Sequence, residues 1–166
     1  MAFSQEEQII KNITNDFNNI RGNLSSFKKD TLVVFSLSLD GTEVTSYRDK
    51  NNDIRLLTLW FDGEFGKNYE EYYFKNDSLI YSFMQFYEND ALDNTADTKT
   101  EEIDSAAADL KMNASNEDMF YFKDDKLIRW LKNKEYNVKP GSREFYSLER
   151  SLLENLKGIL KEINGK

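Results

Sequence analysis

Apolar residues recur at spacings of three and four through the first thirty positions, at Ile10, Ile13, Phe17, Ile20, Leu24 and Phe27. Ser4-Gln5-Glu6-Glu7 precedes them and fits a capping box, so the pattern predicts one amphipathic helix over Gln5–Phe27. A coiled-coil seam has the same spacing, but the stripe covers only about three heptads and is interrupted by Gly22 and several asparagines, which favours packing on a sheet. A second stripe, Phe145, Leu148, Leu152, Leu156, Ile159 and Ile163, follows Pro140-Gly141-Ser142, with Ser142 placed as N-cap. Between the stripes the period shortens. Thr31–Leu39, Glu43–Arg48 and Ile54–Phe61 read as strands, separated by turns at Asp40-Gly41 and at positions 49–53.

The middle of the chain repeats itself. Glu71–Phe83 (EYYFKNDSLIYSF) and Met119–Leu131 (MFYFKDDKLIRWL) align without gaps at an offset of 48. Each has an aromatic run, four polar residues and an aliphatic-aromatic run, which predicts a β-hairpin with a two-residue loop at Asn76-Asp77 or Asp124-Asp125. Counting outward places Phe74 opposite Leu79 and Tyr73 opposite Ile80. One sheet face then carries Phe74, Leu79, Phe83, Phe122, Leu127 and Leu131. The other carries Tyr73, Ile80, Met84, Tyr121, Ile128 and Trp130. We expect the first to be the buried core under both terminal helices. The second, richer in Tyr and Trp, is expected to be half-covered or a contact surface, and Tyr73, Ile80, Tyr121 and Trp130 are its candidate binding residues.

The expected fold is α+β: an antiparallel meander of six to seven strands with the N- and C-terminal amphipathic helices packed on one face. At 166 residues it reads as a single domain, 1–166, with an acidic insertion at about 88–118. Glu88–Asp118 holds ten acidic residues against two lysines, a balance of 2 − 10 = −8, which equals the formal net charge of the whole chain. Inside it Thr98–Glu101 fits the cap of a short helix carrying Ile103, Ala107 and Leu110, with flanks that read as flexible. The acidity argues against nucleic acid as a partner.

Composition narrows the chemistry further. With no Cys and no His there is no thiolate nucleophile, imidazole base or Cys/His metal site. Any enzyme would rest on carboxylates, Lys, Tyr, Ser or Thr. Asp62, Glu64, Glu70 and Glu71 are carboxylates near strand ends, but their spacing selects no acid/base pair. Asp49, Asn51 and Asp53 open like a calcium loop, yet Ile54 stands where Gly is required and Trp60 where the bidentate acid belongs. Asp93, Asp97, Glu101, Glu102, Asp104 and Asp109 are oxygen donors that read more simply as solvated charge. No metal, cofactor or catalytic residue is assigned. Asn-x-Ser/Thr matches at Asn12, Asn23, Asn76 and Asn113 matter only in a glycosylating pathway.

The pattern Tyr-Phe-x-Asn/Asp-x-x-Leu-Ile, at Tyr73–Ile80 and Tyr121–Ile128, resembles the hairpins of small exported bacterial domains of unknown function, many of them lipoprotein-like or periplasmic. The resemblance spans Glu43–Leu131; those hairpins usually carry Gly in the turn, where this chain has Asp77 and Asp125. It implies export, to the periplasm or cell surface, and a non-enzymatic role, with a cytoplasmic location as the alternative. No run is long enough for a membrane span, and Met1-Ala2-Phe3 reads either as a natural start or as a start after a removed export signal or lipid anchor. The expected function is a non-catalytic binding module for a protein or a small apolar ligand. The rivals are an inhibitor or immunity protein that binds a basic enzyme or toxin, and a carrier of apolar cargo.

Overall fold

The computed structural model describes residues 3–88 and 116–165. In chain order the elements are α1 (Gln5–Gly22), β1 (Lys28–Val34), β2 (Thr42–Arg48), β3 (Ile54–Asp62), β4 (Gly66–Lys75), β5 (Ser78–Glu88), β6 (Asn116–Lys123), β7 (Lys126–Lys132), β8 (Tyr136–Asn137) and α2 (Arg143–Asn164). The eight strands form one antiparallel sheet in sequence order, so the protein is an α+β meander with a helix at each end. The short β8 brings the count above the expected six to seven. The acidic stretch and the short helix expected within it lie outside the described residues, except for its ends at Glu88 and Asn116–Asp118.

Local chemistry sets the helix limits. The capping box closes at both bonds: the Glu7 amide donates to Ser4 Oγ and the Ser4 amide to Glu7 Oε2, each at 3.2 Å. Ser142 likewise accepts from the Phe145 amide at 3.2 Å. α1 stops at Gly22, earlier than the apolar stripe predicts, and a 3-10 turn at Leu24–Ser26 follows. Leu24 and Phe27 still pack against the core beneath α1, so the stripe continues across a change of helix type. β1 ends at Val34 instead of Leu39, because Glu162 of α2 reaches across to accept from the Phe35 and Ser36 amides at 2.8 and 2.6 Å.

The two hairpins turn as expected. Asn76 and Asp77 have φ of 51° and 62°, and Asp124 and Asp125 of 51° and 59°, the left-handed pair of a type I′ turn. Beyond the turns the register departs from simple counting. Phe74 pairs with Leu79 but Tyr73 with Tyr81, and Phe122 pairs with Leu127 but Tyr121 with Arg129. Ile80 and Ile128 are therefore the extra residues of two matching β-bulges, and every later residue of β5 and β7 changes face. Phe83 and Leu131 join the tyrosine face, while Met84 and Trp130 cross to the other.

The helices lie on opposite faces, which corrects the expectation that both cover one. α2 packs Phe145, Leu152, Leu156, Ile159 and Ile163 against Phe74, Leu79, Phe120, Phe122, Leu127 and Trp130. α1 packs Ile13, Phe17 and Ile20 against Leu56, Tyr73, Tyr81 and Tyr121. Phe17 stacks on Tyr81 with ring centroids 3.9 Å apart, and ion pairs clip α1 down: Glu6 to Arg129 of β7 at 2.8 Å, Asp16 to Lys75 at 2.9 Å and Arg21 to Glu71 of β4 at 3.0 Å. The physical reason is the sheet itself. Both of its faces are apolar near the hairpin turns, and each requires a cover.

Because Phe17 fills the groove between Tyr73 and Tyr81, Phe17→Ala should cost about 3–5 kcal/mol. The cost is measured by denaturant unfolding. A loss within the range of a surface substitution would show that α1 is not an obligatory cover.

Candidate functional site

None of the four residues expected to form a contact surface provides one. Tyr73 and Tyr121 are buried beneath α1, where Ile80 packs with them, half-buried. Trp130 is 5 % exposed on the opposite face, and its Nε1 donates to Asp118 Oδ2 at 3.0 Å. The bulge at Ile128 separates it from the tyrosines. These residues belong to the core and form no binding surface.

The tyrosine face is nevertheless only half covered. α1 crosses it from Arg129 on β7 to Glu71 on β4, near the hairpin turns. Past Glu71, toward the other end of the strands, it carries Trp60, Tyr69, Gln85 and Tyr87 in register. Trp60 is 39 % exposed, with Tyr69 and Tyr87 ring centroids 5.0 and 5.7 Å from its own. The surrounding polar groups are tied together. Glu71 accepts from Tyr69 Oη at 3.0 Å, Tyr73 Oη at 2.6 Å and Arg21 Nη2 at 3.0 Å. Gln85 accepts from Tyr87 Oη at 3.3 Å and donates to Glu117 at 2.8 Å, and Glu117 pairs with Lys134. The Lys134 and Gln85 hydrogen bonds hold the Glu117 carboxyl below its ordinary range. Trp60 thus stands on a braced platform.

Beside Trp60 the sheet divides. The β2–β3 ladder ends at Val44↔Leu59. Yet β2 continues to Thr42 in its ladder with β1, and β3 continues to Asp62 in its ladder with β4. Extending the register would set Glu43 opposite Trp60 and Thr42 opposite Phe61, and those pairs are not made. A cleft of about 420 Å³ occupies the parting, lined by Asp40, Glu43, Thr45, Thr58, Trp60 and Asp62 among others. The β1–β2 loop forms its lip. Gly41 there has φ +88°, and a Cβ on it would meet Val33 Cγ1 at 2.5 Å, so only glycine fits the turn. Leu39 and Phe35 on the same loop are exposed, Leu39 at 97 %, and Phe65 is exposed on the β3–β4 loop.

A second, wider cleft of about 650 Å³ lies between the end of α1 and the β2–β3 turn, lined by Asn19, Asn23, Asp49, Lys50 and Arg55 among others. Its groups are engaged internally: Arg55 donates to Asp49 Oδ2 and to the Phe74 carbonyl, both at 3.2 Å. The calcium-like run is likewise a turn. Asp49 Oδ1 accepts from the Asn51 and Asp53 amides at 2.9 and 3.1 Å.

The four carboxylates considered for catalysis are dispersed. Glu70 and Glu71 point to opposite faces of β4. Burial pushes the Glu70 carboxyl up, against a hydrogen bond from Tyr72 Oη that lowers it. Asp62 lines the cleft between β2 and β3, and Glu64 lies in the β3–β4 loop. Among the described residues no three acids gather closely enough to hold a metal ion. Asp93, Asp97, Glu101, Glu102, Asp104 and Asp109 lie outside those residues. No helix among the described residues is long and apolar enough to cross a membrane. Compared with family models, curated proteins and solved structures, the chain matches none.

Sequence reasoning missed this site because it needs two things that periodicity does not encode, namely where a ladder stops and which half of a face a helix covers. Trp60 itself reads as part of the most apolar strand. Its exposure comes from the parting beside it.

Two measurements check the arrangement. Trp130→Ala should cost about 3–5 kcal/mol, as for other buried aromatics, and Trp60→Ala markedly less. Desolvation raises the hydroxyls of Tyr69, Tyr72, Tyr73, Tyr81 and Tyr121 above the ordinary value of 10.0. Folded values above unfolded ones give stability that is complete below pH 10 and is lost as pH rises toward the folded values. Phenolate absorbance from these residues should therefore appear together with the loss of circular dichroism in one alkaline transition. Ionisation of all nine tyrosines before any loss of dichroism would contradict their burial.

Proposed function

We propose that this protein is a non-catalytic interaction module that docks a partner at the parted ends of β2 and β3. The observation that carries the reading is the unfinished ladder. Two strands remain ordered by their outer neighbours while their facing edges make no ladder with each other, beside a half-exposed tryptophan. Backbone groups on such an edge are a ready template for an added chain, and aromatic platforms commonly anchor interfaces. Both clefts are lined largely by polar side chains, which favours a protein partner over the apolar cargo of a carrier. Export to the periplasm or cell surface is the location that the hairpin resemblance supports.

A random-peptide display selection against the folded protein tests the reading. Selected peptides should shift the backbone amide resonances of residues 38–45 and 58–62, and Trp60→Ala should abolish their binding. Peptides that map instead to α2 or to the cleft beside Arg55, or a selection that yields no binder, would refute it.

A further inference from the structure

Resting on that docking reading, we infer that the occupant of the cleft is a basic protein segment that lays an arginine side chain against Trp60 between the carboxylates of Glu43 and Asp62. Three features of the cleft select this chemistry over a neutral or anionic one. Its side chains include three carboxylates, Asp40, Glu43 and Asp62, and no lysine or arginine. Lys67 pairs with Asp62 at 3.9 Å, yet 83 % of the Asp62 side chain remains open to solvent. The Trp60 ring supplies the aromatic face on which a planar guanidinium stacks, while its edge donates to carboxylates and backbone carbonyls. Thr45 and Thr58 add hydroxyl acceptors on the same floor.

The rim points to a macromolecule and not to a free small cation. Phe35, Leu39 and Phe65 are exposed on the loops at the same end of the sheet, and apolar tips around a polar centre suit a second protein surface. An inhibitor-like role against a basic enzyme or toxin is the form of the docking function that the cleft carboxylates fit.

The test uses the full chain and a tri-arginine peptide, with the isosteric tri-citrulline peptide as the neutral control. Trp60→Phe and Trp130→Phe assign the two indole signals of protein labelled with 5-fluorotryptophan, and wild-type protein is titrated by fluorine NMR. Titration therefore does not depend on the folding of a Trp130 variant. Tri-arginine should shift the Trp60 signal saturably at sub-millimolar concentration in near-physiological salt and leave Trp130 unmoved. Glu43→Gln with Asp62→Asn should weaken binding about tenfold. Asp53→Asn with Glu154→Gln removes equal charge elsewhere and should leave it within about twofold. Equal binding of both peptides, no effect of the Glu43/Asp62 pair, or no saturable shift overturns the cationic occupant. If tri-citrulline binds as well and Trp60→Ala abolishes both, the docking surface stands and only its charge preference falls. Should display-selected peptides also map away from the cleft, both readings fall together.

Discussion

A sheet that is apolar on both faces cannot be finished by one layer of helix, and this requirement organises the whole molecule. The repeated hairpins place Phe74, Phe120 and Phe122 on one side and Tyr73, Tyr81 and Tyr121 on the other. Leaving either set in water forfeits about 1.5–3 kcal/mol per large side chain. The two terminal helices answer this one to a face, converting a meander into three layers. α2, with 22 residues, is about 33 Å long, close to the width of the eight-stranded sheet. α1, with 18, reaches about 27 Å and leaves the far strands bare on its side. A helix is also only about 10 Å wide, against strands of 9 to 11 residues in β3, β4 and β5. The uncovered region around Trp60, on strands that α1 does cross, is thus a consequence of helix breadth.

The matching bulges at Ile80 and Ile128 show how one residue redistributes a face. Without the second bulge, the register begun at Phe122↔Leu127 would bring Arg129 opposite Phe120, inside the core under α2. The inserted Ile128 instead turns Arg129 to the α1 side, where it meets Glu6, and sends Trp130 inward to Asp118. A charged residue is exchanged for an aromatic one in the core. The first hairpin has the same geometry with different residues: Tyr81 moves beneath Phe17, and Ser82 takes the buried place between Tyr72 and Phe120. Ser82 Oγ has no hydrogen-bond partner there, a cost the surrounding aromatic contacts outweigh.

These particulars mark what could be read from the chain beforehand. Helix caps, the two tight turns and the pairing next to them depend on residues close in sequence, so Ser4, Ser142, Asn76-Asp77 and Asp124-Asp125 were legible. The bulges were signalled only indirectly, by an arginine that plain alternation would bury. The place of Trp130 follows from that shift, since plain alternation sets it on the tyrosine face as a candidate for contact. The cleft beside Trp60 had no local signature. Its existence depends on β1 and β4 each holding a neighbour past the point where those neighbours let go of one another.

That last feature separates a built opening from a frayed edge. Ordinary fraying takes the end of a strand away from both neighbours at once, and the loop beyond it becomes irregular. Here β2 remains in register with β1 to Val34↔Thr42, and β3 with β4 to Asp62↔Lys67. Only the seam between β2 and β3 opens. The lip is set by Gly41, whose left-handed φ and contact with Val33 leave no room for a side chain, and by Glu162 fixing the Phe35 and Ser36 amides from the opposite helix. The other wall is braced through Tyr69 to Glu71 and Arg21. Both walls are therefore held from outside the opening. A cleft supported in this way keeps its shape without an occupant, so a partner binding there would lose little free energy to ordering the site.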